Sequence, residues 1–304
     1  MRVPAKGTTL LLLGTQGGPG INLARGEAAN AVIVDGQPYV VDCGYGALRG
    51  LVQAGIRPAE VATIWLTHLH NDHTTDVAAI LSHQMTGGPP PSTTVLGPYG
   101  TADLVKGAIA FFKGDVEIRI VDEGRQARPE TLFRGRDLEA SATPVEVFRD
   151  ERVTVKAVEN THFPDRAKAR MPYRSLAYRF DTATRSIVFS GDTAPSPGLV
   201  ELARNADLLV CEAMDVAQHA RLAEQARQAI AAGNENSVAR HVAETHSTTE
   251  DVGKMAAEAK VKTVVLSHLL PGGNPGELPE TAYIDAVRKH FDGQVIVGRD
   301  GMRL

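Results

Sequence analysis

Thr67-His68-Leu69-His70-Asn71-Asp72-His73 places three imidazoles and a carboxylate within six positions. Neutral imidazole nitrogens and carboxylate oxygens are the donors that zinc and related dications take. If the apolar run Ala62–Leu66 continues as a strand through His70, period-two alternation sets His68 and His70 on one side. Asp72 and His73 then fall where the chain leaves the sheet. Adjacent donors cannot all reach one ion without strain, so a second metal, or ligands from elsewhere, is expected. Three candidates each stand just beyond a β-like run: His162 after Val153–Val158, Asp192 after Ile187–Phe189 and His268 after Val264–Leu266. Strand ends are where a rigid frame holds functional loops. Singly, each has a plainer reading as a loop histidine, a turn-forming or N-cap aspartate, and a capping histidine.

The order His-x-His-x-Asp-His, lone His, Gly-Asp, lone His resembles the metallo-β-lactamase superfamily over essentially the whole chain. Asp42-Cys43-Gly44 resembles its first motif, an Asp-x-Gly turn beside the metals. The resemblance implies an α/β fold, the αβ/βα four-layer sandwich, with the site at one edge. Carried over residue by residue, it assigns His68, His70 and His162 to one zinc. Asp72, His73 and His268 go to a second, with Asp192 bridging. Two Zn2+ per chain are thus implied, and Mn2+ or Fe2+ suits the same ligands. Two dications lower the pKa of a shared water enough to supply hydroxide near pH 7. They also stabilise charge developing on the attacked centre, and Asp72 is placed to orient the nucleophile.

Thr245-His246-Ser247-Thr248 resembles the branch that holds RNase Z and RNase Z-like arylsulfatases and phosphodiesterases. The resemblance implies that His246 gives a proton to the leaving group; a histidine at a helix start is the plain alternative. Leu11-Leu12-Leu13-Gly14-Thr15 and Gly97-Pro98-Tyr99-Gly100-Thr101 resemble the same branch. Gly14–Gly20 is no phosphate-binding P-loop, since no Gly-Lys-Ser/Thr follows it. Between His162 and Asp192 there is too little chain for the long arm with which RNase Z grips tRNA. Cys211-Glu212-Ala213-Met214 stands where that family tends to carry His-Glu-Ala-Thr. With a sequence pI near 6.2, these features point away from nucleic acid as a partner. The expected function is a dinuclear zinc hydrolase of a small ester, an aryl sulfate or phosphodiester first. A lactonase, a β-lactam hydrolase and an RNase Z-type ribonuclease are the alternatives, although Asp192 argues against a typical β-lactamase. The basic run Arg166, Lys168, Arg170 and Arg174 reads as a solvated loop able to attract an anion. Tyr45 and Tyr173 are candidate pocket residues, equally readable as packing. Trp65 reads as core. His83, His219, His241 and His290 lack donor neighbours at ligand spacing and fit surface or helix positions.

The elements that must position these groups are those of a globular chain. Of 304 residues, 43% are hydrophobic and 22% charged, with a net charge of −4, ordinary values for a soluble domain. The longest apolar run, Leu10–Leu13, is too short to span a bilayer, so no membrane is expected. Cys43 and Cys211 read as small core residues. The start, Met1 to Lys6, is unlike a signal peptide, which suggests a cytoplasmic protein, or a periplasmic or secreted one if an export signal has been removed. Short β-branched runs recur at Thr8–Leu13, Ala31–Val34, Tyr39–Val41, Thr63–Leu66, Val153–Val158, Ser186–Phe189, Leu208–Val210, Thr263–Leu266 and Val295–Val297. Asp35-Gly36 signals a hairpin. Helical spacing marks Asp76–Gln84, Asp215–Ala231 and Thr249–Ala259, the last with Ser247 or Thr248 as N-cap. A single domain over residues 1–304 is expected. The alanine- and leucine-rich stretch Asp215–Ala243 suggests a homodimer.

Overall fold

A computed structural model describes residues 6–86, 91–270 and 279–304. The Asp35-Gly36 signal makes its hairpin: both residues take positive φ, 49° and 84°, the sense that matches strand twist. Across that turn β2 (Ala29–Val34) pairs antiparallel with β3 (Gln37–Cys43). The described residues group into two compact units, each with its own sheet and apolar core. The first comprises Met1–Thr15, Arg25–Glu139 and Arg299–Leu304; the second comprises Gln16–Ala24 and Ala140–Gly298.

In the first unit, β1 (Thr8–Gly14) adds antiparallel to β2. Beyond β3 the sheet continues in parallel through β4 (Thr63–Trp65), β5 (Thr93–Gly97) and β6 (Phe133–Asp137). Parallel neighbours need crossover connections, and the helices Ala47–Gln53, Val77–Gln84 and Thr101–Phe111 lie in them. Their apolar faces (Leu51, Ile80, Leu81, Val105) bury against Leu11, Ile33, Val40, Ile64 and Val95.

The second unit holds β7 (Val145–Arg149), β8 (Val153–Glu159), β9 (Leu176–Thr182), β10 (Ser186–Phe189), β11 (Leu208–Met214), β12 (Thr263–Leu270) and β13 (Gln294–Val297). Their sheet order is β13-β12-β11-β10-β9-β8-β7. Strands β7 to β10 are antiparallel and β10 to β13 parallel. Every residue of β11 is buried, as a strand inside a parallel sheet requires. The helix Thr249–Ala259 starts at Thr248, whose hydroxyl accepts from Asp251 N at 3.1 Å while Asp251 Oδ2 accepts from Thr248 N at 3.3 Å. This reciprocal cap settles the N-terminus on Thr248.

The strand expected to run through His70 ends at Trp65. Leu66 N still bonds Leu96 O at 2.7 Å, but Thr67 N turns to the Asp42 carboxylate at 2.8 Å. A side-chain acceptor thus replaces the ladder and releases His68 and His70 into a loop, ahead of the short helix Asn71–Thr74 that carries Asp72 and His73. Trp65, Cys43 and Cys211 are buried, as expected, and burial pushes the Cys211 thiol up to about 12. Strands β5, β6, β7 and β9 were not apparent from sequence pattern. Residues 1–5, which include most of the start read as unlike a signal peptide, lie outside the described residues. Among the described residues no helix is long and apolar enough to cross a membrane.

Candidate metal-binding residues

In the first unit the donors gather at the carboxyl ends of β3 and β4. Asp42 is the extra residue of a β-bulge: Ala29 faces Cys43 and Asn30 faces Val41, and Asp42 takes φ 59°. A positive φ outside glycine persists only where the surroundings fix it, and bulges re-aim side chains beside functional sites. Its Oδ1 accepts from Thr67 N, while Oδ2 accepts from Thr67 Oγ1 at 3.0 Å and faces His73 Nδ1 at 3.0 Å. A carboxylate can only accept there, so His73 Nδ1 carries the proton and Nε2 keeps the lone pair a metal needs. Gly44 has an equally definite reason. A Cβ there would stand 2.1 Å from Asp72 O and 2.6 Å from Glu27 Cβ. The Asp-x-Gly turn therefore orients one donor and makes room for the backbone of another. Glu27 is buried, which pushes its carboxyl up, and its Oε2 accepts from Tyr45 N at 2.9 Å.

His68, Asp72 and His73 are buried and His70 is half-buried. His68 Nε2 lies 3.0 Å from His70 Nδ1, and His73 Nε2 lies 3.6 Å from Asp72 Oδ2. The rings of His68 and His73 stand 4.1 Å apart. The closeness of His68 and His70 thus comes from a loop, not from strand alternation.

In the second unit β8, β10, β11 and β12 run the same way, and their carboxyl ends carry His162, Asp192, Glu212 and His268. His268 is also a bulged residue: Glu212 faces Ser267, Ala213 faces Leu269, and His268 takes φ 44°. Its Nε2 lies 3.2 Å from Asp192 Oδ1. His162 Nδ1 donates to Thr245 O at 3.2 Å, which leaves Nε2 as the lone-pair nitrogen. Asn160 braces that loop, donating to Ser190 O at 2.8 Å and accepting from His162 N at 3.2 Å.

Two ligands bound to one zinc at 2.0–2.1 Å in tetrahedral array stand about 3.3 Å apart. The donor pairs at 3.0, 3.2 and 3.6 Å bracket that spacing. The His/Asp sets in both units therefore fit a divalent metal.

His246 follows the helix Val238–Thr245 and is buried in the second unit. Its Nδ1 faces Glu212 Oε2 at 2.7 Å, and the other Glu212 oxygen accepts from Thr193 N. Burial pushes the Glu212 carboxyl up, against the pull of His246. The His246 ring stacks on His268 at 5.8 Å and meets His162 edge-on at 5.2 Å. The structure thus gathers His162, Asp192, His246 and His268 within one unit. Sequence reasoning missed Glu212 as the partner of His246; its signal was an acidic residue inside the apolar run of β11. It also set aside His241, whose ring lies 5.3 Å from that of His162. Tyr45 and Tyr173 are exposed, at 49% and 43%.

Residues 38–269 match the beta-lactamase superfamily domain. The ribonuclease Z of Mycobacterium sp. strain KMS is 30% identical over 293 residues, 95% of this chain and 93% of that protein. The short form of human tRNase Z superposes with a TM-score of 0.67 at 21% identity, covering 97% of this chain and 98% of that one. The metallo-beta-lactamase fold protein YhfI from Bacillus subtilis gives 0.67 at 16% identity, over 98% and 100%. The fold is therefore the expected αβ/βα sandwich. The relatives overturn two expectations, a small aryl sulfate or phosphodiester as substrate and the absence of a nucleic-acid partner. Net charge averages the whole surface and says little about the field at one face. The short interval from His162 to Asp192 limits one docking device, not the chemistry. The chain is a metal-dependent hydrolase, and it belongs to the metallo-β-lactamase superfamily on its RNase Z-like side.

Proposed function

We propose that this chain is an RNase Z-type ribonuclease working with two zinc ions. Likeness to proteins named ribonuclease Z along 95% of the chain carries the reading. The Glu212–His246 pair, 2.7 Å apart beside Asp192 and His268, supports it. In this reading His68, His70 and His162 would hold one zinc and Asp72, His73 and His268 the other, with Asp192 available to both. When bound, the metals activate water and offset the charge developing on phosphorus. Asp72 accepts a hydrogen bond from the attacking water and orients it. His246 delivers a proton to the departing oxygen, and Glu212 fixes its ring and favours its protonated form. Asp42 keeps His73 in the metal-binding tautomer.

The test is metal analysis followed by RNA with an unstructured end, beside chromogenic sulfate, lactone and β-lactam substrates. About two zinc per chain and RNA cleavage abolished by chelation or by Asp192→Ala are expected. Undiminished turnover after metal removal, or sulfate cleavage without RNA cleavage, would overturn the reading.

A further inference from the structure

His162, His241 and His246 form a three-imidazole cluster within the second unit, one nitrogen of each lying within 4.8 Å of the others. Two of the rings are fixed by what their Nδ1 atoms meet, Thr245 O for His162 and Glu212 for His246. Their Nε2 atoms are therefore the nitrogens left for other partners. His241 differs from both: it is half-buried while they are buried. Its ring lies 5.3 Å from that of His162 and 6.0 Å from that of His246.

The helix that carries it, Val238–Thr245, fully buries only Thr245 and half-buries Ala239, Val242 and Ala243, so its apolar packing is partial. Polar contacts add to that packing. Ser237 Oγ accepts from Arg240 N at 3.2 Å, and His219 Nε2 lies 3.0 Å from Ala243 O. Glu244 pairs with Arg166 at 2.6 Å and with Arg240 at 2.8 Å. Such a frame fixes His241 beside His246.

Two N–H donors that each reach one oxygen at about 2.8 Å stand roughly 4.6 Å apart. One nitrogen of His241 lies within 4.8 Å of one of His246, near enough for both residues to reach a single oxygen. We propose that His241 is a substrate-binding residue whose N–H, beside that of His246, receives an oxygen of the scissile phosphate. This rests on the ribonuclease reading for the identity of the substrate, since a phosphodiester oxygen is the acceptor that the two donors would share. His241 fixes the phosphate in the ground state, whereas His246 acts as the bond breaks.

The experiment compares zinc-loaded wild type with His241→Leu, which keeps bulk without a donor, and His241→Gln, which keeps an N–H. The probes are inorganic phosphate, followed by calorimetry, and a single-stranded oligoribonucleotide, followed by steady-state kinetics. Loss of a hydrogen bond to a charged oxygen predicts a rise of about tenfold or more in the phosphate Kd and RNA KM of His241→Leu. Its kcat should change by less than about threefold, zinc per chain should stay as in wild type, and His241→Gln should recover most of the affinity. Unchanged Kd and KM in His241→Leu, or a loss that tracks zinc content, would overturn the proposal; the latter would make His241 a brace for His162. Failure of the wild type to cleave RNA would instead strike the ribonuclease reading, and the phosphate Kd would still decide the role of His241.

Discussion

Glutamine at position 212 keeps the size of the side chain and removes its charge. In the native protein both carboxylate oxygens face nitrogens, His246 Nδ1 at 2.7 Å and the backbone N–H of Thr193. Glutamine offers one acceptor and one NH2 group, so one of those donors must meet another donor. If Thr193 keeps the oxygen, His246 has to turn Nδ1 into an acceptor and move its proton to Nε2. A neutral ring in that state is a poor acid. If His246 keeps the oxygen, the buried Thr193 N–H is stranded at a cost of about 1–3 kcal/mol. Either way the hydrogen bond to a charged group is lost, worth about 1.5–3 kcal/mol, and with it a proton transfer worth about a hundredfold or more. Steady-state kinetics on RNA and on bis(p-nitrophenyl) phosphate should separate the effects. RNA leaves as an alkoxide that needs the proton, so its kcat should fall about a hundredfold; a nitrophenolate does not, and its rate should fall less than about tenfold. Overall stability should fall by less than these losses, because burial pushes the Glu212 carboxyl up and glutamine removes that desolvation cost. Equal losses on both substrates, or a parallel loss of zinc, would refute the acid role.

Gly44→Ala should destabilise the protein by about 2–3 kcal/mol and weaken zinc binding, because its Cβ would meet the Asp72 carbonyl at 2.1 Å; native melting temperature and zinc content would remove this account of the Asp-x-Gly turn. Asp207 is partly buried, which opposes its ionisation, but Lys262 at 2.6 Å and Ser186 hold its carboxyl at about 2. A carboxyl so depressed contributes stability that is full above the unfolded carboxylate pKa and is lost as pH falls through the folded value. Asp207→Asn should therefore cost about 1 kcal/mol at neutral pH after allowance for solvent screening, and urea titrations should show the gap closing between about pH 4 and pH 2; a gap constant over that range would contradict the assignment.

The ligand types were legible because metal chemistry restricts which side chains serve and because their order along the chain is distinctive. The hairpin at Asp35-Gly36, the helix Thr249–Ala259 and the strand Ser186–Phe189 were legible from local signals: left-handed turn residues, a cap and an apolar run. Strands β6 and β7 were not, since Phe133–Asp137 and Val145–Arg149 are largely exposed and carry no continuous apolar pattern. The substrate expectation failed for a different reason. It drew on chain-wide charge and on a missing arm, neither of which reports what the site itself can cleave.

By itself the sequence determined the donor inventory, the α/β class and the resemblance, since all three depend on residue identity and order. Tertiary structure alone decided how those donors are aimed. The bulges at Asp42 and His268 exist because neighbouring strands impose their register. Glu212 meets His246 because β11 carries a buried carboxylate to the residue that follows a distant helix. His241 joins them because the packing and the polar contacts of that helix set it beside His162. Each depends on long-range pairing, which local spacing along the chain does not encode.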